Sequence, residues 1–361
     1  MSPLRATLAP PAAARTATSA RAGSDHNHAS PPAGQGRRAR LRNWAELLCV
    51  SALFTVPGDT LAGAAATGLR PGRGTAYAVG ASLCLYEAGM ALNDWADRDE
   101  DAVERPHRPV PSGRISAAAA LGAAGLLTAA GLTLAARAGR PALAVASALA
   151  ATVWAYDLQL KHTPVAPAAM AAARALDLVL GATATMSAPC GQKKAEAGLP
   201  PVTESAELAS LAVPQGPGAR HSVTPGAALR IGSPAAALAA HTYGVTAVSK
   251  HEAYGGSTRT PLAALGATTT LGLLLARTRP TARPLAALAA TAYVRTSALA
   301  YLHAALNPSA PLTQRAVGGG IRAMIPLQAA FAARSGARLT PLAVLGLAPM
   351  ARALARKVSP T

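Results

Sequence analysis

The feature that most constrains this chain is a series of apolar runs, some with no charged residue at all. Residues 115–136 and 231–249 contain no Asp, Glu, Lys or Arg. A helix needs about 20 apolar residues to cross the hydrocarbon core of a bilayer. Ten such runs recur from Trp44 onward, at 44–67, 75–93, 115–136, 141–156, 164–188, 231–249, 260–276, 283–304, 316–333 and 338–352. They are mostly Ala, Leu, Gly and Val. Small residues of this kind let membrane helices approach closely. A helix of a water-soluble protein would carry polar residues along one face, whereas most of these runs are apolar all round. The expectation is an all-α, polytopic transmembrane bundle of nine or ten helices, the last two runs forming either two helices or one broken one.

Composition supports this reading. Charged residues make up 14% of the 361, and the net charge is +18, against about 25% charged in soluble domains. A nucleic-acid binder with that excess would concentrate it with interleaved aromatics. Here the basic residues are scattered among apolar runs, so nucleic acid is not expected as a partner. Cys49, Cys84 and Cys190 form no CxxC pair, which excludes a disulfide framework or cysteine zinc site. Residues 1–42 are rich in Ala, Pro, Arg and Ser and read as a disordered basic tail. Its Asp25-His26-Asn27-His28 run is not expected to bind metal. The membrane domain is expected over 43–357, with 191–230 as a polar, poorly ordered loop. The tail's Arg37, Arg38, Arg40 and Arg42 precede the first run. By the positive-inside rule they place the N-terminus, and the loops after the second, fourth, sixth and eighth spans, in the cytoplasm of a cell-membrane protein.

The chemistry concentrates where the second run ends. Asn93-Asp94-x-x-Asp97-x-x-x-Asp101 is followed by Arg105-Pro-x-Arg108-Pro-x-Pro-Ser112-Gly113. On one continuous helix, Glu87, Asp94, Asp97 and Asp101 would share a face. Carboxylates stacked at a membrane surface repel one another unless a cation lies between them. Their hard oxygens suit Mg²⁺, which bridges a few carboxylates to phosphates and keeps several waters. The Pro-rich segment forces a turn, and Arg105 and Arg108 beside it suit a phosphate.

This pattern resembles the first aspartate-rich motif of the UbiA-type intramembrane prenyltransferases. The resemblance covers about 43–357, apart from the polar loop. It implies a bundle of about nine helices that binds a polyprenyl diphosphate through Mg²⁺. The prenyl group is then transferred to an aromatic or other acceptor. Tyr156-Asp157-Leu-Gln-Leu-Lys161 resembles the family's Tyr…Lys segment. Lys161 can hold a diphosphate as a point charge or simply extend to the interface. Arg174 and Asp177, three apart inside a span, either pair structurally or line the diphosphate site, since ionisable residues in spans usually face the bundle interior.

The family's second motif falls at the end of the sixth run, where the chain reads Ser249-Lys250-His251-Glu252-Ala-Tyr-Gly255-Gly256. Only one carboxylate stands here, where many members carry two or more. The Ser-x-x-Glu-x-x-Gly-Gly form is similar to a divergent actinobacterial, EboC-like subgroup. Glu252 either holds a second Mg²⁺ with Ser249, water or diphosphate oxygens, or leaves a single Mg²⁺ on the first motif. The resemblance thus implies Asp94, Asp97, Asp101 and Glu252 as catalytic metal ligands. Asn93, Arg105, Arg108, Tyr156, Lys161, Arg174, Ser249 and Lys250 would surround the substrate. The rival reading is a degenerate member that binds or handles lipid precursors without turnover. Asp59 and Glu87 either orient an acceptor or make buried contacts between helices.

Overall fold

The computed structural model describes residues 33–48, 53–187, 225–277, 283–337 and 339–358, all helical or connecting segments. Contacts divide the chain at Ala39. Of residues 1–39 only the start of helix α1 (Ala33–Leu47) is described; residues 40–361 form one body. That body continues with a 3₁₀ turn (Leu53–Thr55) and α2 (Pro57–Ala66). α3 (Arg73–Ala96), α4 (Arg98–Glu104) and α5 (Ala117–Ala138) follow. α6 (Arg140–Ala155) runs into a π-helical turn, Tyr156–Leu160, ahead of α7 (Ala166–Ser187). The second half comprises α8 (Pro225–Ser249), α9 (Arg259–Ala276), α10 (Arg283–Leu306), α11 (Ala310–Arg334) and α12 (Leu339–Val358).

The fold is therefore an all-α bundle. Among the described residues, five stretches are long and apolar enough to cross a membrane: Ala117–Ala138, Arg140–Leu160, Ala166–Ser187, Pro284–Leu306 and Ala310–Arg334. Leu126, Leu273, Leu288 and Leu299 point outward at 61–75% exposure. Leucines so exposed would be costly in water and are at home against acyl chains.

Several boundaries differ from the sequence reading. The run 44–67 is not one helix, because Pro57 opens α2 as its first residue; proline has no N–H to continue an upstream helix. Helix α1 begins at Ala33, inside the segment expected to be disordered, since Ala33–Leu47 is free of proline and supplies Leu41, Trp44 and Leu47 near one another on its surface. The remainder of that tail, like Cys49 and Cys190, lies outside the described residues. The polar segment expected to end at 230 gives way to α8 already at Pro225. The final two runs are separate helices, parted by Gly336 at φ +82°.

Two groups of helices meet at the centre. One packs α3, α5, α6 and α7 around Leu85, Leu149 and Leu180. The other packs α8–α12 with α2 around Leu238, Tyr293, Leu327 and Phe331. They join where α2 crosses α7. There a Cβ on Gly63 would collide with the Leu178 carbonyl, and one on Gly181 with the Thr60 backbone. Only glycine permits that approach.

Candidate active site

The acidic stretch does not form one continuous helix. α3 ends at Ala96, and Asp97 adopts φ −88°, ψ 3° before α4 begins. Backbone bonds still bridge the joint: Asp97 N–H donates to Asn93 O at 2.9 Å and Asp101 N–H to Asp97 O at 2.7 Å. The three aspartates consequently remain together, and all are buried. Glu87, two turns upstream, is buried away from them with no ion pair among the described residues.

The following turn folds two arginines back over this cluster. Arg108 N–H donates to Arg105 O and Ser112 N–H to Arg108 O, both at 3.0 Å, and Gly113 completes the turn at φ +73°. Arg108 Nη1 then lies 2.8 Å from Asp101 Oδ2 and 3.1 Å from Asp94 Oδ1. Arg105 Nη2 lies 2.8 Å from Asp101 Oδ1. Lys161, closing the π-helical turn, donates to Asp97 Oδ1. Burial alone would make the Arg108 guanidinium easier to deprotonate; its hydrogen bond to Asp101 and the Asp94 charge override it and hold the cation firmly.

Three cations and three carboxylates thus balance without help. The balance leaves gaps: Asp94 Oδ1 and Asp101 Oδ1 are buried and accept no well-aligned hydrogen bond. Buried carboxylate oxygens of this kind are costly unless something occupies their lone pairs. Three clustered carboxylates, two of them with an oxygen short of an aligned donor, fit Mg²⁺. A different trio, Asp97, Glu100 and His162, brings ligand atoms within 4.8 Å of one another. It is half-exposed and His162 Nε2 lies 3.8 Å from Glu100 Oε2, so the buried aspartates are the stronger metal candidates. Sequence reading passed over Glu100 and His162; the i, i+3 spacing from Asp97 was the only hint of the former.

The second motif approaches from the other half. Ser249 is the last residue of α8, and its hydroxyl turns back to donate to Thr246 O at 2.9 Å. Lys250 Nζ donates to Thr163 O at 2.8 Å, fastening this loop to the α6–α7 connection. Gly256 N–H donates to Pro308 O at 2.7 Å, and Gly255, at φ +69°, presses so closely on Pro308 that a side chain would collide. Glu252 is half-buried; burial raises its carboxyl above the ordinary range, and Arg105 draws it partly back. Glu252 therefore lies within reach of the Arg105 charge, while the Ser249 and Lys250 side chains are committed to backbone carbonyls. The connections after α3, α6, α8 and α10 meet at one end of the bundle.

Below the aspartates a cavity of about 310 Å³ runs between α3, α6 and α7. Asn93, Tyr156 and Asp157 line it near the motif, and Asn93 Nδ2 donates to Asp157 Oδ1 at 3.2 Å. Leu85, Gly89, Met90, Leu149, Val153 and Met170 form its middle. Ser82, Arg174 and Asp177 line its far end. Arg174 is thus not beside the aspartate motif. Its Nε lies 2.9 Å from Asp59 Oδ2, and Nη2 donates to Thr55 O at 3.2 Å. Of the two alternatives for Arg174, the structural pair is the one made, but with Asp59 of α2 rather than Asp177, because α2 crosses closely over α7 at Gly63 and Gly181. Asp157 was quoted in the sequence motif without a role; its place beside Asn93 appears only when α3 and α6 pack.

The comparisons with known proteins follow the same lines. The model of the "UbiA prenyltransferase family" matches residues 51–239. A digeranylgeranylglyceryl phosphate synthase from Methanopyrus kandleri is 34% identical over 148 residues, 41% of this chain and 51% of that protein. The chain spans about half the length of that curated relative and less of two others of the same name. A UbiA homolog from Archaeoglobus fulgidus, bound to DMAPP and Mg²⁺, superposes with a TM-score of 0.53 at 16% identity, covering 84% of this chain and 99% of that one. The apo UbiA homolog from Aeropyrum pernix gives a TM-score of 0.54 at 15% identity, over 77% and 96%. At such identities these structures show a shared fold.

Proposed function

The chain belongs to the UbiA prenyltransferase family, and on that premise we propose that it is a multi-pass membrane enzyme transferring a prenyl group from a polyprenyl diphosphate to an aromatic or other acceptor. One observation carries the reading: three buried aspartates, two of them with an oxygen that accepts no well-aligned hydrogen bond, surrounded by Arg105, Arg108 and Lys161. That the Archaeoglobus fulgidus homolog binds DMAPP with Mg²⁺ supports it.

Asp94, Asp97 and Asp101 would hold Mg²⁺, with Glu252 placed to add a carboxylate from the other half. Mg²⁺ bound there supplies charge neutralisation to a diphosphate leaving group. The residues of the chain do the rest. Arg108 and Lys161 exchange their carboxylate partners for diphosphate oxygens, offering a bidentate fork and a point charge. As the C1–O bond breaks, its electron pair leaves with the diphosphate, and the guanidinium and ammonium stabilise that growing charge. The allylic cation is kept from water by the apolar walls below. The acceptor nucleophile closes the new bond to C1 and gives up its proton. The catalytic unit is residues 43–357, in the cell membrane, with the motif end of the bundle cytoplasmic.

The test is diphosphate release from geranyl diphosphate by the full chain in lipid nanodiscs with Mg²⁺. Asp94→Asn and Asp97→Asn should each lose at least ~100-fold in rate while remaining folded. Retention of full Mg²⁺-dependent release by both variants would overturn the assignment. The single carboxylate of the second motif favours a second reading, a binding protein without turnover. Tight geranyl diphosphate binding without release, for every acceptor tried, would establish it.

A further inference from the structure

The far end of the α3–α6–α7 cavity is built for something other than hydrocarbon. Ser82 and Asn93 are eleven residues apart on α3, so at about 1.5 Å per residue this end lies roughly 16 Å below the motif. Ser82 and Asp177 there are buried, at 2% and 5% exposure, whereas Asn93 and Tyr156 at the other end are partly open. The end is also held shut. Arg174 is bound to Asp59 and to Thr55 O, and Gln328 of α11 donates to Thr55 O at 2.7 Å and to Asp59 Oδ1 at 2.6 Å. These bonds join α2, α7 and α11 into one wall.

Within this wall Asp177 is half satisfied. Ser82 Oγ donates to its Oδ2 at 2.7 Å, but Oδ1 is buried, has no hydrogen-bond partner, and belongs to a residue lining the cavity. A buried carboxylate oxygen without a donor is expensive, and a donor supplied by a ligand recovers that cost. A prenyl tail is all hydrocarbon and brings no donor. A molecule with an O–H at its far end does. Accepting the prenyltransferase reading above, we propose that this cavity is the acceptor site. In it Asp177 Oδ1 receives the hydroxyl of an elongated, otherwise apolar acceptor whose reacting atom lies toward Asn93 and Tyr156. The volume suits this class, falling near the lower end of the roughly 300–1,000 Å³ common to small-molecule sites. The apolar middle, from Leu85 to Met170, would clasp the body of the acceptor, and the single polar contact would set its depth and direction.

The test uses two probes of one shape, 4-hexylphenol and its methyl ether 4-hexylanisole, which lacks the O–H. Calorimetric titration into the full chain in nanodiscs, corrected with empty nanodiscs, measures each alone and beside geranyl diphosphate with Mg²⁺. The phenol should bind about tenfold tighter than the ether, the size of one hydrogen bond to a buried group left without a partner. In Asp177→Ala that preference should shrink to about twofold or less, with geranyl diphosphate affinity unchanged. Asp177→Asn keeps a carbonyl acceptor in the same place and should fall between, serving also if the alanine variant does not fold. Phenol and geranyl diphosphate should bind together. The proposal is overturned by equal affinities or no phenol binding in the wild type. It also fails if the preference survives in both variants, or if geranyl diphosphate displaces the phenol, which would make the cavity the prenyl site. Failure of geranyl diphosphate to bind the wild type at all would overturn the underlying prenyltransferase reading itself.

Discussion

Replacing Arg108 by Gln should move stability and ligand binding in opposite directions. Among the described residues, Arg108 is the one cation that touches both Asp94 and Asp101. Without it Asp101 keeps Arg105, but Asp94 loses its ion pair while remaining 2% exposed. Breaking a buried pair by removing one partner costs about 3–5 kcal/mol. The Arg108 side chain is 25% exposed, so solvent screening brings the expected loss to about 2–3 kcal/mol. In the wild type a metal ion must compete with the guanidinium for the same oxygens, and in the variant it need not. Mg²⁺ should therefore bind the variant more tightly. At about 100 times its dissociation constant it returns about 2.7 kcal/mol, enough to restore most of the loss. Geranyl diphosphate should bind more weakly, since a phosphate ligand has gone. The assay is reversible unfolding in mixed micelles with and without MgCl₂, paired with titration of geranyl diphosphate. If Arg108→Gln matches the wild type in metal-free buffer, or if Mg²⁺ stabilises it no more than the wild type, the reasoning is wrong.

Gly181→Val should destabilise the bundle by about 1–3 kcal/mol or more, because a Cβ there meets the Thr60 backbone; an unchanged unfolding midpoint would refute the crossing of α2 and α7. Gln328→Ala should cost about 1–3 kcal/mol by leaving the buried Asp59 Oδ1 without its donor, again read by unfolding in micelles. Glu46→Ala should cost less than about 1 kcal/mol, since its two bonds to Arg114, at 2.6 and 2.9 Å, lie near the surface, and the small loss should fade in high salt. Glu252 offers a pH test. Burial raises its carboxyl in the folded state, so its contribution is greatest at low pH and is lost as pH rises through the raised value. Glu252→Gln should match or exceed wild-type stability at neutral pH, with the gap closing on acidification toward the ordinary carboxylate range; a gap that widens on acidification would refute it.

Much of the site was legible because its signal is local. The spacing of Asp94, Asp97 and Asp101 and the Arg-Pro turn after them are properties of a single short segment. That segment closes on itself through backbone bonds such as Asp101 N–H to Asp97 O. What lay across helices was not legible. Nothing in the order of residues tells that Arg174 pairs with Asp59 rather than Asp177, or that Asn93 meets Asp157. Nor does the order show that the Ser249 hydroxyl is spent on Thr246 O.

The sequence by itself determined the class of molecule. Charge-free runs long enough for a bilayer, spaced by short polar turns, permit little besides a helical membrane bundle, because each helix satisfies its own backbone. It also determined where the acidic chemistry stands along the chain. Tertiary structure alone decided which charges neutralise one another and where space remains between them. Those outcomes depend on how closely α2 may approach α7 and how α3, α6 and α7 diverge. Such distances are set by side chains far apart in the chain, so that a cavity ending at Asp177 exists only once the bundle has packed.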